Sequence, residues 1–290
     1  MKTILVFGIE GFIGRHYKKY LNQIYEREKY NIIGCGRTVE KKEEPEIFYK
    51  ACDITKYDEV ESIFNEVKPS FVLNFAGTFD SNYQKLMDQN VKGSKNILKA
   101  AHTTGLPKKI LLVGSAAEYG IPLVNPVTEL HPENPVSLYG LSKLYQTELA
   151  RFYFRLYKVP VLIARPFNIY GSGISEKLSI GNFKKQISET EDGGVLRVGN
   201  LLSYRDFLPV SKVVEYIHYL IEYGKPGEAY NICSGKPMQM KQVLQDLIKE
   251  SGKVLSVTTD PDLLKKNDVN MIYGSCEKLS LLQQLPLRDE

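Results

Sequence analysis

Short apolar runs alternate along this chain with longer stretches in which apolar residues recur at helical spacing. Ile4-Leu5-Val6-Phe7, Asn31-Ile32-Ile33, Phe71-Val72-Leu73-Asn74, Ile110-Leu111-Leu112-Val113 and Val161-Leu162-Ile163-Ala164 read as strands, and Ile47-Phe48-Tyr49 as a weaker one. Helical spacing is found between them at roughly 12–26, 58–67, 83–103 and 138–158. This alternation predicts βαβ units and a parallel sheet. Crossovers in such a sheet are right-handed, so helices must cover both faces. The expected class is α/β, a doubly wound parallel sheet with a smaller C-terminal α/β lobe.

After Arg165 the rhythm changes. Glycine and polar residues cluster over 170–175, followed by a helix near 180–190, a short strand at 195–198 and a helix at 211–222 with Ser211 as its N-cap. A strand at 229–232 and a helix at 239–251 complete the pattern. There is no repeat and no linker-like tract, so the second lobe should grow out of the first.

Composition narrows the partners. The chain has 290 residues, 43% hydrophobic and 25% charged, enough to bury a core without disulfides or metals. The net charge of +4 is not gathered into a basic block, which argues against a nucleic-acid partner. Cys35, Cys52, Cys233 and Cys276 show neither CxxC pairing nor metal-ligand spacing. They are expected to be small apolar fillers in a reduced compartment, and no metal site is expected. The first apolar run is too short for a signal-peptide core, and no stretch is long enough to cross a bilayer. A cytoplasmic protein without a membrane partner is the expectation.

Gly8-Ile9-Glu10-Gly11-Phe12-Ile13-Gly14 follows the first strand at once and opens a helix. In that position Gly8 serves a sharp turn, Gly11 the close approach of backbone to a pyrophosphate, and Gly14 tight packing of helix on strand. The helix N-terminus offers unpaired N–H groups and a positive dipole end to the phosphates. A plain tight turn is the alternative, but the strand–turn–helix context favours a dinucleotide. The second strand runs out into Gly34-Cys35-Gly36-Arg37 without the carboxylate that would hold the ribose hydroxyls of NAD. Arg37 suits the 2′-phosphate of NADP, so NADP(H) is favoured over NAD(H). Asp53 is placed to accept from the adenine amino group, or else to cap a helix.

Tyr139 and Lys143 are four residues apart and share one helical face. Ser115 ends a strand at the carboxyl edge of the sheet, where ligands of such folds bind. With Asn74-Phe75-Ala76-Gly77, Gly114-Ser115-Ala116-Ala117-Glu118-Tyr119-Gly120, Tyr139-Gly140-Leu141-Ser142-Lys143, Arg165-Pro166-Phe167-Asn168 and Arg205-Asp206-Phe207, the chain resembles the extended short-chain dehydrogenase/reductases, the NAD-dependent epimerase/dehydratase family. The resemblance implies a Rossmann domain over 1–165 with return segments about 206–235, and a substrate lobe from 166–205 and 236–290. It implies a cofactor held by Gly8, Gly11, Phe12, Ile13, Gly14, Arg37, Asp53, Ile54, Ala76, Gly77, Tyr139 and Lys143. Tyr139 would protonate a carbonyl oxygen, Ser115 would hydrogen-bond that oxygen, and Lys143 would hold the nicotinamide ribose. An ammonium beside a phenol with an ordinary pKa of about 10 should also lower that pKa. Asn168 and Arg205 would bind the diphosphate of a nucleotide sugar, though Arg205 also suits a structural ion pair.

Dehydratases of this family carry an Asp-Glu pair after the catalytic serine or threonine, and here Ala116-Ala117 stand there. None of the four histidines, 16, 102, 131 and 218, falls where epimerisation beside the carbonyl would need one. Carbonyl reduction remains. Residues 114–143, Leu196-Arg197-Val198-Gly199-Asn200 and Tyr230-Asn231-Ile232-Cys233-Ser234-Gly235 resemble reductases of GDP-linked 4-keto-6-deoxy sugars. A hexose or a heptose is compatible. A 4-epimerase with retained NAD and a catalytically idle nicotinamide-binding regulatory protein stay open as alternatives. Tyr145, Phe152, Tyr153, Phe154 and Tyr157 crowd the helix at 138–158, more aromatics than one monomer face can bury. Helices in this position pair into dimer bundles in the family that the chain resembles, so the resemblance implies a homodimer through a helix bundle.

Overall fold

The computed structural model describes residues 2–23, 30–38, 47–264 and 268–284. Its strands run β1 (Lys2–Phe7), β2 (Tyr30–Gly36), β3 (Ile47–Ala51), β4 (Phe71–Asn74), β5 (Lys109–Val113), β6 (Val161–Pro166), β7 (Asn168–Tyr170), β8 (Val195–Val198), β9 (Tyr204–Pro209), β10 (Ala229–Ile232), β11 (Pro237–Gln239), β12 (Ser256–Thr259) and β13 (Met271–Ile272). The helices are α1 (Phe12–Gln23), α2 (Tyr57–Val67), α3 (Tyr83–Leu86), α4 (Gly93–Thr104), α5 (Leu138–Tyr157), α6 (Ser179–Glu189), α7 (Val210–Tyr223), α8 (Met240–Ser251) and α9 (Glu277–Gln284).

The inner strands of the main sheet are buried on both faces and so are apolar on both, whereas the edge strand β3 is largely uncovered. In β1, Ile4 and Val6 join one core with α1, α7 and α9, while Leu5 and Phe7 join the other with α2, α4 and α5. Among the described residues seven strands pair in the order β10-β6-β5-β4-β1-β2-β3, all parallel. The order reverses between β1 and β4, which opens a crevice at their carboxyl ends. This is the Rossmann-type α/β architecture expected from the strand–helix alternation.

A second, smaller core joins Phe183 and Ile187 of α6, Leu196 and Val198 of β8, and Met240 and Leu244 of α8. Beside it β9 pairs with β11, β13 and β7. Asp206 of β9 is fully buried and ties these parts together. Its carboxylate accepts from the Ser234 N–H and hydroxyl, both at 2.7 Å, from the Gly235 N–H at 3.0 Å and from the Gly274 N–H at 3.2 Å.

Two sequence expectations are corrected. The helix expected over 83–103 is broken into α3, a π-helical turn at Met87–Lys92, and α4. The wider turn carries a fully buried asparagine, Asn90, which reaches back to Thr78. Ser211 does not cap its helix: β9 runs straight into α7, with Pro209 at the N-cap and no side-chain cap bond. The part of the first predicted helix at 24–26 lies outside the described residues. No helix among the described residues is long and apolar enough to cross a membrane.

Candidate active site

The three glycines after β1 act for three different reasons. Gly8 has φ +75°, and a Cβ there would stand 2.5 Å from the Ala76 backbone nitrogen at the end of β4. At Gly14 a Cβ would lie 2.3 Å from the Ile9 carbonyl oxygen, so its bareness lets α1 start against the turn. A Cβ on Gly11 would come within 3.1 Å of the Gly8 oxygen, so this backbone stays bare toward the groove.

A cavity of about 170 Å³ opens at the crevice between β1 and β4. Gly8, Gly11, Arg37, Asp53, Ile54, Ala76 and Gly77 line it together with Cys35, Gly36, Cys52, Phe75 and Gln89. Phe12 and Ile13 lie outside that lining: Phe12 packs edge-on against His16, and both side chains lean on the core. The Asp53 carboxylate accepts from the N–H and the hydroxyl of Thr55, each at 2.9 Å, and both bonds fall on Oδ1. Burial pushes this carboxyl up, but the two Thr55 bonds outweigh it and hold Asp53 below the usual range. Lys56, not Asp53, is the N-cap of α2. Burial raises the thiol of Cys35 and pushes that of Cys52 up to about 12, so both are unreactive wall residues. A bare-backbone turn beside a helix N-terminus suits a dinucleotide diphosphate, and Arg37 stands at the far end of the groove.

Gly77 connects this groove to α5. A Cβ on it would come 3.6 Å from Lys143 Nζ and 2.9 Å from Asn90 Oδ1. Lys143 is buried and donates to the Val113 carbonyl at 2.8 Å and to Gln146 Oε1 at 3.1 Å. Gln146 Nε2 donates to the same carbonyl at 3.0 Å. Tyr139 stands one helical turn earlier, with the Ser115 side chain as the neighbouring polar group that favours its ionised form. Ser115, Tyr139 and Lys143 thus converge at the carboxyl end of β5, next to the groove.

Their ionisation differs from what the spacing predicts. Burial pushes the Tyr139 phenol up to about 12, with Glu118 adding to the rise and the Ser115 side chain opposing it. Burial depresses the Lys143 ammonium to about 8 against the pull of Glu118. The expected lowering of the phenol by Lys143 is therefore not found. Both groups lose solvation, which favours the neutral form of each and overrides the helical spacing. The phenol keeps its proton at neutral pH.

A buried charge network supports Ser115. Glu118 Oε1 accepts from the Ser115 N–H at 2.7 Å, and Oε2 accepts from Thr147 at 2.8 Å and from Arg165 Nε at 2.9 Å. Arg165 and Glu118 are both wholly buried. Arg165 also bonds Tyr119 and Glu133, and Arg151 bonds Glu133 from outside. The Ser-x-x-Glu spacing of a capping box signals Glu118 in the sequence. Asn90 has no comparable signal. Its amide clamps Thr78 and donates to Ser142 at 2.9 Å, whose hydroxyl donates to the Tyr139 carbonyl at 2.8 Å.

Asn168 and Arg205 sit on β7 and β9. Asn168 Nδ2 donates to the Asp206 carbonyl at 3.0 Å. Arg205 pairs with Asp268 at 2.8 Å and donates to the Tyr204 and Val269 carbonyls, the ion-pair arrangement that its sequence position also allowed.

A doubly wound sheet with this groove, and a Ser/Tyr/Lys cluster at its edge, defines an extended short-chain dehydrogenase/reductase, an NAD(P)-dependent enzyme. The chain belongs to the NAD dependent epimerase/dehydratase family, whose model matches residues 4–233. It is 26% identical over 292 residues to GDP-6-deoxy-D-mannose reductase of Pseudomonas aeruginosa, covering 96% of this chain and 90% of that one. It is 27% identical over 281 residues to GDP-6-deoxy-D-talose 4-dehydrogenase of Aggregatibacter actinomycetemcomitans, covering 95% and 89%. The structure of RMD from Pseudomonas aeruginosa complexed with NADPH superposes with a TM-score of 0.83 at 23% identity, covering 97% of this chain and 92% of that one.

Proposed function

We propose that this protein is an NADP(H)-dependent reductase of the 4-keto group of a nucleotide-linked 6-deoxy-4-ketosugar, with GDP as the favoured nucleotide. The observation that carries this reading is a protonated phenol, Tyr139, beside the Ser115 side chain and one helical turn from Lys143, which stands behind the Gly77 wall of the groove. Two relatives named for C4 chemistry or reduction of GDP-6-deoxy sugars support the choice of sugar. The nicotinamide, when bound, supplies the hydride.

Tyr139 Oη gives its proton to the carbonyl oxygen, and Ser115 Oγ donates a hydrogen bond to that oxygen as its charge develops. Lys143 holds the ribose and, while protonated, stabilises the phenolate that Tyr139 leaves. With Ala116-Ala117 after Ser115, the carboxylates that would remove and return protons in a dehydration are lacking at those positions. Asp53 Oδ2 is the atom available to the adenine amino group. Asn168 and Arg205 would bind the diphosphate of the sugar nucleotide, Arg205 while keeping or exchanging its ion pair with Asp268. Tyr145, Phe152, Leu156 and Tyr157 remain exposed on α5, a face suited to pairing with a second copy of the chain.

The reading is tested by offering 4-keto-6-deoxy nucleotide sugars with NADPH and NADH and following the reduced-nicotinamide absorbance. Rapid oxidation of NADPH by one of them supports it, and no oxidation with any of them sinks it. In the same assay Arg37→Ser should weaken NADPH roughly tenfold to a hundredfold while changing NADH little. Equal loss for both cofactors would remove Arg37 from the 2′-phosphate.

The two depressed or raised groups also set a pH profile. Lys143 holds its proton below about 8 and releases it above. Tyr139, at about 12, stays protonated throughout the working range. The rate of ketone reduction, as kcat/KM, should therefore hold steady at low pH and fall as pH rises through about 8. Lys143→Arg, which cannot lose its charge there, should be slower but free of that falling limb.

A further inference from the structure

Phe79 is a large apolar side chain left 46% exposed beside the reacting centre. Its ring meets that of Tyr139 edge to face, with centroids 5.0 Å apart and planes at 70°. Phe79 belongs to none of the apolar cores found among the described residues, so interior packing does not account for it. The backbone just before it is held. Asn90 holds the neighbouring Thr78 at both ends, accepting from its N–H at 2.8 Å and donating to its carbonyl at 3.0 Å. The same amide reaches Ser142, and through it the Tyr139 backbone. One buried side chain thereby ties the segment that carries Phe79 to the helix turn that carries the phenol.

A carbonyl oxygen that accepts from Tyr139 and Ser115 brings its flanking carbons close to that phenol, and so toward the ring packed on it. On the Ser115 side the chain continues as Ala116-Ala117, again without a polar side chain. Aromatic and methyl surface accepts C–H groups well and gives a hydroxyl no partner. A buried hydroxyl left unpaired there is penalised by roughly tenfold to a hundredfold.

We propose that Phe79 is the specificity-determining residue that selects a methyl over a hydroxymethyl on the carbon beside the reacting carbonyl. Resting on the ketosugar-reductase reading above, this makes the 6-deoxy character of the sugar a requirement set by one side chain. A ring in that place rejects the 6-hydroxy sugar more than it tightens the 6-deoxy one.

The test runs the reaction as oxidation with NADP⁺, where both sugars are stable: a GDP-linked 6-deoxyhexose and the matching GDP-hexose. The wild type should favour the 6-deoxy sugar by at least about tenfold in kcat/KM, and Phe79→Leu should keep that preference. Phe79→Ser should narrow it to within about twofold, chiefly through KM, with NADP⁺ affinity unchanged as the sign of an intact fold and groove. Phe79→Ala, which offers no partner itself but opens room for a water to meet the hydroxyl, should narrow it at least partly and replaces the serine variant if that one does not bind NADP⁺. A wild type that oxidises both sugars alike, or serine and alanine variants that keep the full preference, overturns the role of Phe79 alone. A wild type that binds NADP⁺ but oxidises neither sugar and reduces no ketosugar overturns the reductase reading and this assignment together.

Discussion

Replacing Tyr139 by phenylalanine is expected to lower kcat for ketone reduction by about 10²–10⁴-fold while leaving NADPH affinity nearly unchanged. Phenylalanine keeps the ring that packs against Phe79 and removes only the hydroxyl. In the proposed reaction that hydroxyl is the proton donor, and burial keeps it protonated. The loss should appear in kcat rather than KM, because the proton moves only as the reaction proceeds. Steady-state kinetics with a cofactor titration checks both halves. A variant that keeps more than a tenth of the wild-type kcat, or one that no longer binds NADPH, contradicts the role given to this phenol.

The second large effect is structural. Arg165→Ala should destabilise the protein by about 3–5 kcal/mol, because it strands a buried carboxylate. Glu118 is wholly buried, burial already pushes its carboxyl up, and Arg165 supplies the main opposing pull. The guanidinium also lies over the Tyr119 ring at 5.0 Å and bonds its hydroxyl at 3.1 Å. Replacing the pair together, Arg165→Met with Glu118→Leu, should recover part of the loss, since no charge is then left unpaired. Urea-unfolding midpoints of the wild type, single and double variants give the comparison. The single variant should also be slower, because Glu118 holds the Ser115 N–H at 2.7 Å. An Arg165→Ala protein as stable as the wild type would show that the network carries no weight.

The legible parts of the fold were those with strong burial. The predicted runs at 4–7, 71–74, 110–113, 161–164 and 229–232 fall within β1, β4, β5, β6 and β10, because strands buried in a sheet must be apolar, and 195–198 matches β8, whose residues alternate between exposed and buried. The pieces around β9 escaped notice for the opposite reason. β7, β11 and β13 are two to three residues long, and β12 is exposed along its whole length, so no apolar pattern marks them. The π-helical turn at 87–92 is a change of hydrogen-bond register, and side-chain polarity does not record register.

The same distinction holds in the site. Gly8, Arg37, Asp53 and Gly77 were readable because the strand–turn–helix frame dictates where each backbone segment must pass, and they do line one groove. Tyr139 and Lys143 were readable as a pair on one helical face. Their ionisation was not, because it depends on how completely α5 is covered by the segments around Ser115 and Asn90. Arg165 looked like one more member of a motif, and only the packed interior reveals it as the charge that supports Ser115. Phe79 offered no pattern at all, being a single aromatic residue in a loop.

The central claim is that a hydride passes to the sugar carbon as Tyr139 protonates its oxygen, with net reduction of the ketone. The direct test is to run the reaction with NADPH carrying deuterium at C4 of the nicotinamide, using each face in turn. The account predicts deuterium at C4 of the sugar from one face only, one atom for each NADPH consumed, and none with Tyr139→Phe. A ketosugar left unreduced with NADPH unconsumed, together with inversion at C4 of the corresponding 4-hydroxy sugar nucleotide without added cofactor, would contradict it and identify a 4-epimerase instead.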